Sequence, residues 1–150
     1  MKRTKAVTDA PFCARLPDVP LTLADGGSIN LADFCGQKLV VFFCPAGDLA
    51  VEDEFQSYEM LAEEFEDAGA WVVGIVSTNS PASVKVPHGH MGIDADGSTY
   101  KALSSRSQDV FEAKAADGTT FLIDRDGSIR HAWPGYGHAR QVLNWVRERP

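Results

Sequence analysis

Cys44 is the residue most able to do chemistry. It closes a continuous apolar run, LVVFFC, directly before Pro45. A thiol at that point supports two readings. One is a redox nucleophile at the end of a buried strand. The other is a small apolar core residue, a common fate of cysteine outside disulfides. The acidic run Glu52-Asp53-Glu54 follows closely and disfavours a thiolate nearby. Cys13 and Cys35 have no base or anion hole placed beside them, and the plain structural reading holds for both. Three cysteines without a C-x-x-C pair read as thiols kept reduced, and their spacing suggests no zinc site.

His88-Gly89-His90 places two imidazoles two residues apart, and folding could add His131 or His138. No carboxylate or cysteine stands at metal-ligand spacing, so the expectation is a solvated loop, with no metal and no cofactor. Asp124-Arg125-Asp126-Gly127 has acidic residues in a glycine turn. It is too short for a calcium loop and lacks the closing glutamate, so a hairpin turn is expected.

The elements that must position these groups follow from hydrophobic spacing. Leu39–Cys44 is apolar throughout, which suits a strand buried on both faces. A helix is expected from about Leu49 to Ala68, because Val51, Phe55, Tyr58, Ala62 and Phe65 recur three and four apart. Asp48 is placed to cap it, acidic residues fill its first turns, and Gly69 ends it. Trp71–Val76 is a second buried strand, which completes a βαβ unit. Before this unit, Leu21–Leu23 and Ser28–Asn30 flank Asp25-Gly26-Gly27 as a hairpin. Ser77–Ala116 is less regular, with one short helix around Ser98–Leu103. TTFLID and SIRHAW then form a second hairpin. A last helix over about His138–Arg147 presents Val142, Trp145 and Val146.

The sequence of 150 residues is long enough for one domain with a real core, and 44% of it is hydrophobic. A net charge of −7 disfavours nucleic acid as a partner. No apolar stretch reaches membrane-spanning length, and the charged start, Met1–Ala10, leads into no apolar signal region. A cytoplasmic protein is therefore expected.

An early βαβ unit, a later hairpin and a final helix make the thioredoxin pattern. The expected class is α/β, with a central mixed sheet flanked by helices and an N-terminal β-hairpin. In detail, LPDVPLTLADGGSINLADFCGQKLVVFF resembles the opening of peroxiredoxins of the bacterioferritin comigratory, or Q, type in the AhpC/TSA family. GAWVVGIVST, TTFLIDRDGSIRHAW and HARQVLNWVRE resemble later parts of the same family. The resemblance covers nearly the whole chain; only about Asn79–His90 is shorter than usual.

That resemblance implies thiol peroxidase chemistry built on P-x-x-x-T-x-x-C, with an arginine that helps hold the cysteine as thiolate. The matching segment here runs from Pro45 to Glu52. Proline is kept as Pro45, but the threonine position is Leu49 and the peroxidatic cysteine position is Glu52. The resolving cysteine of many relatives falls at Ser57, and the arginine position is Gly118. Thioredoxin-like reductases are matched no better, because they need C-x-x-C after the first strand. Two function classes follow. The chain is a peroxiredoxin-like redox protein whose remaining thiol chemistry runs through Cys44, with a reductant such as thioredoxin as partner. Alternatively it is a pseudoenzyme that uses the scaffold to bind a small molecule or a protein. The family includes monomers and homodimers, and both remain open.

Overall fold

The computed structural model describes residues 20–23, 27–34, 36–45, 50–77, 91–94, 98–104 and 118–148. Seven strands among them form one mixed sheet in the order β2-β1-β5-β4-β3-β6-β7. They are β1 Pro20–Leu23, β2 Ser28–Asn30, β3 Lys38–Pro45, β4 Ala70–Ser77, β5 Met91–Ile93, β6 Thr119–Ile123 and β7 Ile129–Pro134. The expected N-terminal hairpin is the antiparallel pair β1–β2, with Leu21 opposite Ile29.

β3 sits at the centre. It runs parallel to β4, with Lys38 opposite Ala70 and Pro45 opposite Ser77. On its other side it runs antiparallel to β6, with Leu39 opposite Ile123 and Phe43 opposite Thr119. Central position explains why its apolar run does not alternate: both faces are covered. Val40, Phe42 and Cys44 point into one core, and Leu39, Val41 and Phe43 into the other.

The first core is roofed by helices α1 Ala50–Met60, α2 Ala62–Asp67 and α4 Ala139–Glu148. The second lies under the short 3₁₀ turn Leu31–Phe34 and α3 Ser98–Ser104. Asp94 caps α3. Its buried carboxylate accepts the Thr99 and Tyr100 backbone N–H groups at 3.1 and 3.0 Å.

Four details depart from the sequence expectation. The long helix is two helices joined at Leu61, where the Leu61 N–H reaches back three residues to the Tyr58 carbonyl. This tighter turn keeps Tyr58, Leu61 and Phe65 all buried. The irregular middle holds a further strand, β5, whose three residues are too few to show periodicity. Trp71 opens β4 but is 53% exposed; its indole N–H donates to the Gln37 side chain and its ring tilts against Phe34 at 5.8 Å. In α4, Leu143 is buried beside Val142 and Val146, whereas Trp145 stays half-buried and stacks on His131 at 4.4 Å.

The second hairpin turns where expected. The Gly127 N–H donates to Asp124 O, and the Asp126 side chain accepts from Ser128 N–H at 2.9 Å. Gly69, at φ 83°, terminates α2 as a left-handed residue. The Asp48 cap, Cys13, Cys35, His88 and His90 lie outside the described residues.

Candidate functional site

The carboxyl end of β3 collects the residues singled out for chemistry. Antiparallel pairing of Phe43 with Thr119 carries Gly118 alongside Cys44 and Pro45. α1 begins five residues after Pro45, so its first turn, with Glu52, starts from the same end of the sheet. Leu49 lies outside the described residues.

These positions differ sharply in environment. Cys44 has no exposed surface and belongs to the core beneath the helices. A thiol must be ionised and reachable to attack a peroxide, and Cys44 is not reachable. Glu52, in contrast, is exposed on the outer side of α1. Gly118 is buried with φ 81°. An ideal Cβ there would lie 2.8 Å from Cε1 of Tyr136. The Tyr136 ring thus fills the space that a side chain at position 118 would need. An arginine cannot simply be placed at Gly118, because that substitution would strain the backbone and drive into the ring.

A residue that sequence reasoning left in a generic acidic first turn dominates this region. Glu54 is buried, and its carboxylate accepts the Gly137 N–H at 3.0 Å. Burial pushes its pKa above the usual carboxylate value; the Gly137 hydrogen bond and the charge of His138 oppose that shift. The signal was present in the spacing. Glu54, Tyr58, Leu61 and Phe65 recur four, three and four apart, so Glu54 sits on the inner stripe of the helix.

Tyr58 lies one turn further along. Its hydroxyl shares a buried 3.3 Å hydrogen bond with Thr120 of β6. Burial holds its phenol well above the ordinary range, the Thr120 bond opposes this, and Glu54 and Cys44 add to it. The Tyr58 ring stacks on Phe42 with centroids 4.3 Å apart. The segment after β7 closes the region, and Gly135 N–H donates to Gly118 O at 2.9 Å.

The two described histidines are engaged elsewhere. His131 lies between Trp133 and Trp145. The His138 ring nitrogens contact Gln141 Oε1 and the Pro134 carbonyl, at 3.1 and 2.9 Å. No group of three metal-ligating side chains occurs among the described residues.

A central β3 flanked by parallel β4 and antiparallel β6, with helices on both faces, defines a thioredoxin-fold protein of the peroxiredoxin kind. The sequence profile of the AhpC/TSA family matches residues 14–132. Peroxiredoxin Bcp of Escherichia coli K12 is 30% identical over 145 residues, covering 88% of this chain and 92% of that protein. A solved structure of Xanthomonas campestris peroxiredoxin Q superposes with a TM-score of 0.70 at 26% identity, covering 89% of this chain and 95% of the other. A cysteine-to-serine mutant of Xylella fastidiosa PrxQ gives a TM-score of 0.71 at 26% identity, covering 89% of this chain and 90% of the other. The chain belongs to the AhpC/TSA family of peroxiredoxins.

Proposed function

We propose that this chain is a peroxiredoxin-family protein without the usual peroxide-reducing chemistry, whose scaffold serves as a binding module. The observation that carries the reading is a division of roles at the end of β3. The position matched to the peroxidatic cysteine holds the exposed carboxylate of Glu52, while Cys44, the one cysteine among the described residues, is sealed in the core. Leu49 in place of threonine and Gly118 in place of arginine remove the groups that would orient a peroxide and favour a thiolate. Glu54 and Tyr58 line the inner side of α1 and make the surroundings of Cys44 still less welcoming to a second negative charge. A single domain over 1–150 and a cytoplasmic location belong to the same proposal; the location rests on the use of cysteine as reduced thiols.

A second reading rests on one observation, the place of Cys44 beside Gly118 and Pro45 at the family's reacting end. On that reading a local opening of α1 exposes the thiol, and a reductant such as thioredoxin recycles it. Hydrogen peroxide consumption with thioredoxin, thioredoxin reductase and NADPH separates the two. The expected result is no turnover above the reductase background, unchanged in Cys44→Ser. Turnover that Cys44→Ser abolishes would establish the second reading and overturn the first.

A further inference from the structure

Helices α1 and α2 do not close completely onto the sheet. Between them and the first half of β4 lies a cavity of about 560 Å³. Its exposed lining residues include Gln37, Glu59, Ala62, Glu66 and Gly69, toward the start of β3 and β4. Cys44 and Gly118 lie at the other end of β3, so this cavity shares only Tyr58 with the site described above. Its size falls in the range of small-molecule sites, roughly 300–1,000 Å³.

The lining is aromatic. Phe42 of β3 supplies the floor beside Gly74 of β4, and Phe55, Tyr58 and Phe65 descend from the helices. Phe42 meets Phe55 edge-on at 4.8 Å and stacks on Tyr58 at 4.3 Å. Gly74 is what lets these rings lie so close to the strand: a Cβ there would fall 2.5 Å from Phe42 Cζ and 2.5 Å from Phe55 Cε2.

The rim is acidic. Glu59 and Glu66 both line the cavity and both are exposed. Helical spacing explains their place: 55, 58, 59, 62, 65 and 66 recur along one stripe, so the two carboxylates flank the rings. Neither makes an ion pair among the described residues. The surrounding charge has one sign. Residues 50–69 carry Glu52, Asp53, Glu54, Glu59, Glu63, Glu64, Glu66 and Asp67, and contain no lysine, arginine or histidine. One of these, Glu64, is neutralised from α4 by Arg147 at 2.7 Å. An anion at this rim would face the like charge of Glu59 and Glu66. Carboxylates attract a cation, and an apolar floor beside them strengthens the attraction.

We propose that this cavity binds a small amphipathic organic cation, with one ammonium on an aromatic or branched aliphatic body. The body covers Ala62 and the slightly exposed edge of Phe55, above the buried rings of Phe42, Tyr58 and Phe65. The ammonium stays at the mouth between Glu59 and Glu66. The proposal is independent of any peroxide chemistry, since it uses none of Cys44, Glu52 or Gly118.

Isothermal titration calorimetry with phenylpropylammonium, phenylpropanol and phenylpropanoate tests it, because the three share one body and differ in charge. The ammonium should bind at one site, more weakly as salt is raised, and the carboxylate should not bind. Glu59→Gln with Glu66→Gln should weaken the ammonium about fivefold, the effect of losing partly exposed charge pairs. Ala62→Trp should abolish binding by filling the cavity from an exposed position. Circular dichroism would check that this variant folds; if it does not, the glutamine pair decides. Equal binding of alcohol and ammonium would overturn the proposal, as would no binding at all or binding that survives a folded Ala62→Trp. Self-association that shields the cavity, seen by sedimentation together with no ammonium binding, would overturn it in favour of a second copy as occupant.

Discussion

Gly118→Ala measures how firmly the fold beside the carboxyl end of β3 is built against a side chain at position 118. Two costs add. At φ 81° an alanine occupies the left-handed region, for about 1–2 kcal/mol. Its Cβ would also stand 2.8 Å from Tyr136 Cε1 and 3.0 Å from Cζ, and these are ring atoms that cannot swing aside singly. Overpacking of that kind costs about 1–3 kcal/mol. The expected loss is therefore about 2–5 kcal/mol, a large share of the roughly 5–15 kcal/mol typical of a whole domain. Urea unfolding of four proteins separates the two contributions: the parent, Gly118→Ala, Tyr136→Ala and the double variant. With the ring removed, only the backbone cost should remain, and Gly118→Ala should cost about 1–2 kcal/mol in that background. A cost equal in both backgrounds would refute the steric argument. A cost under about 0.5 kcal/mol in the parent would refute the backbone argument as well.

Further outcomes follow from the same geometry. Glu54→Gln keeps an acceptor for the Gly137 N–H while removing a buried charge, so it should be more stable than the parent at neutral pH. Because burial raises the folded pKa of Glu54 above its ordinary 4.5, the parent's own stability contribution is complete below that value and is lost as pH rises through the folded pKa. The advantage of the variant should therefore shrink as pH falls from neutral through the folded pKa and be smallest below 4.5, read in thermal melts at several pH values, and a less stable variant at neutral pH would contradict this account. Glu52→Cys should give a thiol titrating near the ordinary value of about 8.5 and reacting slowly with hydrogen peroxide, read by alkylation and stopped-flow consumption. Adding Leu49→Thr should speed that reaction about tenfold through one hydrogen-bond donor. Equal rates for the single and double variants would show that these two positions do not form one site.

Local pattern carried much of the architecture. Six apolar residues from Leu39 to Cys44 require cover on both faces, and that places the strand at the centre of a sheet before any neighbour is known. The glycine turn at 125–127 announces its hairpin because few other residues accept the positive φ that Gly127 takes. The family resemblance was likewise legible, and the proline and TTFLID anchors are what align Glu52 with the peroxidatic position in the proposed reading. Other features depend on groups that meet only through folding. Strand β5 is too short to show a period and exists because β4 and β1 offer it open edges. The break at Leu61 serves the packing of Tyr58 and Phe65, which propensity does not register. Whether Cys44 is a reagent or a core atom is a question of depth, and depth is set by the helices above it. Gly118 reads as a lost arginine in sequence. Only the folded chain reveals that Tyr136 occupies the space an arginine would need, because hairpin pairing of β6 with β7 returns the chain to that point.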